Sequence, residues 1–196
     1  MLEKHVTVDY VSIHIGLDDY IPFNEWFVIP YILWFLYIAA TIIYFFFHSK
    51  TEFYHYTAFL FIGMTICLII YTFFPNGQDL RPDLSQIEGN NYLLGMISRI
   101  YSLDTPTNVC PSIHVYNSIG AHIAVHKNEK LRKYPILQFA SLGLAVSIGL
   151  STMFIKQHSA FDAICSIALS LVMYFFVYNP KTRLSHKIRE KEIFAN

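Results

Sequence analysis

The chain has 196 residues, of which 54% are hydrophobic, 17% aromatic and only 14% charged. Soluble domains carry about a quarter charged residues, so lipid rather than water is the expected solvent. Fourteen basic residues balance fourteen acidic ones, which leaves no electrostatic case for a nucleic-acid partner.

Residues 1–25 are mixed and acidic, without a basic start followed by an apolar run, so no signal peptide is read there. A spanning helix needs roughly 20 mostly apolar residues. Trp26–Phe47 and Phe53–Phe74 each supply that. The connection Pro75–Cys110 opens on the turn-rich "PNGQDLRPDL". Pro111–His126 is shorter and carries Asn117, Ser118 and His122. It reads as an interior helix shielded from lipid by the others, or as a buried half-span. Pro135–Ile155 and Ser159–Tyr178 complete five predicted spans, and residues 179–196 form a polar tail. Residues 1–196 thus read as one all-α membrane domain, a helical bundle. Cys67, Cys110 and Cys165 are widely spaced, and two lie in apolar runs, so neither a disulfide framework nor a zinc site is expected.

Lysine and arginine set the orientation. With five spans, one side holds Lys50, then Lys127, Lys130, Arg132 and Lys133, then Lys181, Arg183, Lys187, Arg189 and Lys191. These are ten of the fourteen basic residues, so this side and the tail are expected in the cytoplasm. The N-terminal stretch, with Glu3, Asp9, Asp18, Asp19 and Glu25, falls on the other side. An outside N-terminus without a signal is unusual, and a helix preceding residue 1 would account for it.

Three polar sites meet at the outer face. They are "RP" at Arg81, "CPSIH" with Ser112 and His114, and "STMFIKQHSAFD" with Lys156, His158 and Asp162. Ionisable residues at membrane depth are costly and tend to mark function. His158 and Asp162 are four apart and share a helical face. A carboxylate there can hold one ring N–H and leave the other nitrogen free to attack or accept a proton. A helix-end ion pair is the plainer alternative. Pro111 suits the first position of a helix. The free backbone N–H groups beside Ser112 make an anion site, or simply an ordinary Pro-Ser helix start. Arg81 offers a planar fork for phosphate, or a solvated loop charge. Lys156 reads as an anion grip or as a snorkelling interfacial residue. His122 and His126 are one turn apart but have no second pair to complete a metal or haem site.

Taken together these pieces resemble the type 2 phosphatidic acid phosphatase superfamily. Its pattern is K-x6-R-P, then P-S-G-H, then S-R-x5-H-x3-D, on the outer face of a helical bundle. Here Arg81-Pro82 matches the first motif, and Ser112 and His114 the second, with Ile113 in place of glycine. Ser151, His158 and Asp162 fall at the spacing of the third. The motif lysine is Phe74 and the motif arginine is Thr152 in this chain, so two phosphate-binding cations are absent. Lys156 is the nearest replacement. This altered pattern is similar to the branch holding bacterial lipid phosphatases and sphingomyelin-synthase-like phosphotransferases.

The resemblance implies that His158 attacks phosphorus, Asp162 orients it and His114 protonates the leaving oxygen. It implies that Arg81, Ser112, Lys156 and Ser151 form the substrate-binding set, and that no metal or cofactor is needed. The family commonly has six spans. The expectation is a multi-pass cell-membrane lipid phosphatase, active on a lipid phosphate or pyrophosphate outside the cytoplasm. Its partners would be that substrate and membrane lipids; no oligomeric state is implied. A lipid phosphotransferase and a non-catalytic lipid-binding protein are the alternatives.

Overall fold

Ser49 alone separates the first two long helices. In the computed structural model, which describes residues 10–89 and 91–178, α1 spans Val28–His48 and α2 spans Lys50–Phe73. Ser49 is extended, and its hydroxyl accepts from Glu52 N at 3.3 Å. That caps α2 three residues ahead of the expected start at Phe53. A 3-10 turn, Glu25–Phe27, leads into α1, and Asn24 caps it by accepting from Trp26 N. Pro30 sits in the first turn of α1, where its missing N–H breaks no hydrogen bond.

Between residues 75 and 110 the chain forms a helix that hydropathy does not announce, α3, Asn91–Leu103. Its side chains Leu93, Leu94 and Ile97 are buried at helical spacing, and Leu93 and Ile97 pack with Val28, Tyr31 and Ile155. Three further helices follow: α4, Ile113–Lys127; α5, Pro135–Phe154; and α6, Ala160–Val177. Pro135 opens α5 at its first position, as its geometry favours. Pro111 does not do so in α4. Ser112 takes the cap, so Pro111 stands outside the helix, joined to Cys110 by a cis peptide bond. The tail expected at 179–196 lies outside the described residues.

Four segments are long and apolar enough to cross a membrane: Glu25–His48, Lys50–Phe73, Pro135–Phe154 and Ala160–Val177. The chain is thus a mostly helical membrane protein. The remaining helix expected to span, α4, has 15 residues, which at 1.5 Å each gives about 22 Å against the roughly 30 Å of hydrocarbon. α4 packs against α1, α2, α5 and α6, and most of its side chains are buried.

Small residues let α4 and α2 approach. A Cβ on Gly63 would lie 2.0 Å from Tyr116, and one on Gly120 would lie 2.6 Å from Phe59. Phe59 and Tyr116 stack at 4.8 Å, and the Tyr116 hydroxyl donates to Phe59 O. Close backbone approach through glycine is the usual means of helix packing in lipid.

Residues 10–27 lie across one end of the bundle. β1, Val11–Ser12, pairs in parallel with β2, Asn76–Gly77. Further along, Asn24 N donates to Phe154 O, and Phe27 stacks on Phe154 at 4.3 Å. The same end gathers the start of α1, the end of α2, the start of α4 and the joint between α5 and α6. Lys50 and the Lys127–Lys133 stretch occupy the opposite end.

Candidate active site

Five residues, 155–159, turn the chain from α5 into α6. Thr152 O accepts from both Gln157 N and His158 N, at 2.8 and 2.9 Å, satisfying the end of α5. Lys156 takes a left-handed backbone, φ 54°, which side-chain-bearing residues seldom adopt. The buried Gln78 amide holds that turn by donating to Lys156 O at 2.9 Å.

Ser159 then caps α6 in a capping box with Asp162, each side chain meeting the other's backbone N–H side. Asp162 Oδ2 accepts from Ser159 N at 3.0 Å and from His158 Nδ1 at 3.1 Å. Because an ionised carboxylate only accepts, Nδ1 carries the proton of this hydrogen bond, and in the neutral ring Nε2 then has the lone pair. Asp162 is fully buried and His158 is 7% exposed. The helical cap and the histidine orientation therefore share one oxygen.

His114, in the first turn of α4, is the second imidazole. Its ring lies against Tyr31 at 4.7 Å and Trp34 at 4.4 Å, and its centroid is 5.8 Å from that of His158. Ser112, fully buried, joins α4 to α6: its N–H donates to Asp162 O, and its carbonyl accepts from Ser166 Oγ at 2.9 Å. Its hydroxyl accepts from Val115 N as the α4 cap.

Arg81 reaches the same place from the connection after α2. Its Nη1 donates to Tyr101 O at 3.2 Å and its Nη2 to Asp104 O at 2.7 Å. Nη2 also donates to Gln157 Oε1, and the guanidinium covers the Tyr101 ring at 4.4 Å. Burial pulls its pKa below the usual arginine value, while Tyr101 and Asp104 pull it up. Asp104 in turn lies 3.5 Å from the Tyr31 hydroxyl, which donates to it.

Two residues expected in the binding set point elsewhere. Lys156 Nζ donates to Asp18 O at 3.0 Å and Ile21 O at 2.5 Å, so its ammonium fastens the N-terminal segment. The left-handed turn at Lys156 separates it from its neighbour His158. Ser151 Oγ donates to Ile148 O at 2.6 Å and is fully buried in its own helix. His158, Asp162, His114 and Ser112 do meet, and Arg81 joins them through Gln157.

Asp18 belongs to this region although no motif marks it. It is 2% exposed, and its carboxylate accepts from Ala160 N at 2.7 Å, Ser159 Oγ at 2.6 Å and Ile15 N at 2.9 Å. The start of α6 thus already has its anion. A polar cavity of about 460 Å³ opens beside it, lined by Ser12, His14, Asp18, Asp19, Asp79 and Lys156. Three carboxylates make that cavity a poor host for phosphate.

Among the described residues, no group of three or more His, Cys, Asp or Glu could hold a metal ion. His122 and His126, singled out in the sequence, instead meet Ser141 and Gln138 through Nδ1, each at 3.1 Å. The fold and the site together define a helical membrane protein with a buried histidine–carboxylate pair at one end. No family model matches the chain, and no curated protein or solved structure matches it either.

Proposed function

We propose that the protein is a metal-independent lipid phosphatase of the type 2 phosphatidic acid phosphatase kind. It acts on a lipid phosphate or pyrophosphate at the outer leaflet of the cell membrane. The observation that carries this reading is the buried His158–Asp162 pair, with a second imidazole 5.8 Å away. A near-attack approach to phosphorus takes about 3–3.5 Å. A hydrogen bond to the leaving oxygen takes about 3 Å more. With the P–O bond these distances exceed the 5.8 Å between the ring centroids, so in this reading the two imidazoles move apart to take the phosphoryl group.

His158 Nε2 attacks phosphorus, forming the P–N bond as the bond to the lipid oxygen breaks. His114 gives its proton to that oxygen. Water then attacks the phosphohistidine, the P–N bond breaks, and His114 takes the proton from the water. Asp162 holds the Nδ1 proton throughout and stabilises the charge that develops on the ring. Arg81, Ser112 and the first N–H groups of α4 hold the phosphoryl oxygens. Lys156 is left out of this set because its ammonium is tied to Asp18 O and Ile21 O, whereas Arg81 keeps its Nε–H without a partner among the described residues. An alcohol in place of water would make the same intermediate a phosphotransferase.

In this reading α4 crosses as a fifth span in the shelter of α1, α2, α5 and α6. The end rich in lysine is cytoplasmic and the histidines face outward.

A phosphate-release screen over purified lipid phosphates tests the proposal, with acid-labile phosphate on the protein measured in parallel. Release should survive a metal chelator, and His158→Ala should abolish both release and trapped phosphate. Release lost on chelation and restored by magnesium would refute the metal-free route. Phosphate trapped on the His158→Ala protein would remove His158 as nucleophile. Release of lipid alcohol with phosphate passed to an added alcohol would identify the transferase.

A further inference from the structure

Two hydrogen-bond donors next to the histidine pair have no acceptor among the described residues. Gln157 directly precedes His158 and is 2% exposed. Its Oε1 accepts from Arg81 Nη2. That contact fixes the amide's orientation, because a guanidinium nitrogen only donates. The amide nitrogen, Nε2, is therefore the atom left over, and it is buried without a partner. Arg81 Nε is buried without a partner as well. Within the guanidinium, Nε shares an edge with Nη2, the nitrogen that meets Gln157.

Buried donors are nearly always satisfied, and an orphan carries a desolvation penalty. Two orphans in one hydrogen-bonded pair, both N–H groups, call for an acceptor with more than one oxygen. Their surroundings agree. Phe74 and Thr152 stand where the resemblance calls for cations, and Lys156 is turned away. Arg81 is the cation within reach of Gln157. Asp104, the nearby carboxylate, receives the Tyr31 hydroxyl and meets Arg81 through its carbonyl oxygen. Gln78 locks the Gln157 backbone from the other side, its amide lying 3.5 Å from Gln157 O. The Gln157 side chain is thus held at both ends of its residue while its N–H groups stay open.

We infer that Gln157 and Arg81 form an oxyanion cradle, in which Gln157 Nε2–H and Arg81 Nε–H bind oxygens of a tetrahedral phosphoryl group beside His158. Gln157 is then a substrate-binding residue, and a neutral amide takes up part of the work of the absent cations. The class of substrate rests on the phosphatase reading above; the binding of an oxyanion does not. The phosphoryl group is that of a lipid headgroup or of free phosphate, and both carry the same oxygens.

The experiment uses the full chain purified in detergent. Inorganic phosphate and short-chain dihexanoyl phosphatidate are titrated separately by calorimetry, and thermal unfolding is followed without ligand. The decisive variant is Gln157→Glu. It keeps an acceptor for Arg81, and a charged one, so the fold should be at least as stable as in the parent. It removes the donor and adds a negative charge, so both titrants should bind about tenfold more weakly or worse, equivalent to about 1.4 kcal/mol. Gln157→Ala should weaken them less. Tighter binding of the short lipid than of phosphate identifies a headgroup site, and the reverse identifies a free-phosphate site; either supports the cradle if Gln157→Glu loses it.

Unchanged binding in a folded Gln157→Glu protein overturns the inference and leaves the phosphatase reading standing. A parent chain that binds neither titrant overturns it too. If the parent binds phosphate and Gln157→Glu does not, yet no lipid phosphate is hydrolysed, the cradle stands and the phosphatase reading falls.

Discussion

One carboxylate oxygen does two jobs, and a single substitution can remove its charge while leaving both hydrogen bonds an acceptor. Asp162 Oδ2 caps α6 through Ser159 N and holds the Nδ1 proton of His158. Asp162→Asn keeps an oxygen that can accept from Ser159 N, so the helix should stay capped and the protein folded. The same oxygen still accepts from His158 Nδ1, so the ring keeps its orientation, and what is lost is the negative charge that stabilises the imidazolium as it forms. The expected outcome is a loss of up to about 10⁴ in turnover, as in the serine-protease triad. Thermal unfolding should stay close to that of the parent. Steady-state phosphate release and an unfolding scan on the same preparation check both halves. A rate within tenfold of the parent would mean that Asp162 serves the helix alone. The pairing of these residues was legible in the sequence because it is local, although His158 lies in the turn ahead of the Ser159 cap and not on a face of α6 as the spacing of four suggests. Gln157 was not legible: an uncharged amide between Lys156 and His158 draws no notice until its partners and its orphan nitrogen are seen.

At the scale of elements, the joint between α5 and α6 is held from a distance. Asp18 lies 141 positions from Ser159 in the chain. No local pattern could announce that pairing, and the acidic N-terminal stretch reads from sequence only as a segment on the side away from the basic loops. Lys156 was misleading for a related reason. Its charge and position suit an anion, but its left-handed turn directs the ammonium toward Asp18 O and Ile21 O. Asp18→Ala leaves Ala160 N, Ser159 Oγ and Ile15 N without their acceptor. It should destabilise the protein by about 1.5–3 kcal/mol, the range for hydrogen bonds to a charged group. It should also slow turnover, because two of those donors flank the His158–Asp162 pair. Lys156→Ala should lower the unfolding temperature less, since it removes bonds to carbonyls and leaves the carboxylate satisfied. Tryptophan fluorescence on heating in detergent ranks the two, and the opposite order would make the ammonium the principal tie. A different element contact fails by crowding. Gly63→Ala puts a methyl group 2.0 Å from the Tyr116 ring, which is itself stacked on Phe59. Overpacking of this kind costs about 1–3 kcal/mol. The same scan reads it, and an unchanged midpoint would show that α2 and α4 can separate freely.

For the molecule as a whole, the lipid-solvated helices were the legible part. Long apolar runs at α1, α2, α5 and α6 state their nature through composition, with bounds within about three residues of those observed. α3 escaped because 13 residues are too few to span, although Leu93, Leu94 and Ile97 fall at helical spacing. α4 was visible but ambiguous, being short and carrying Asn117, Ser118 and His122 among its apolar residues. What the bundle does settle is which segments share an end. Tyr20 and the His158 joint lie at one end, and Lys130 lies at the other, both Tyr20 and Lys130 being exposed. The charge asymmetry between these ends then makes a definite topological prediction, since basic loops stay on the cytoplasmic side. Single cysteines at Tyr20→Cys and Lys130→Cys report it, in a background carrying Cys165→Ser. Cys67 and Cys110 are buried and can remain. An impermeant maleimide applied to intact cells should label Tyr20→Cys at once, and Lys130→Cys only after the membrane is opened. The reverse pattern would place both histidines in the cytoplasm and exclude an outer-leaflet substrate. Because both ends belong to one bundle, the two cysteines cannot both label in intact cells unless the helices do not cross. That outcome would contradict the membrane topology itself, independently of any chemistry at His158.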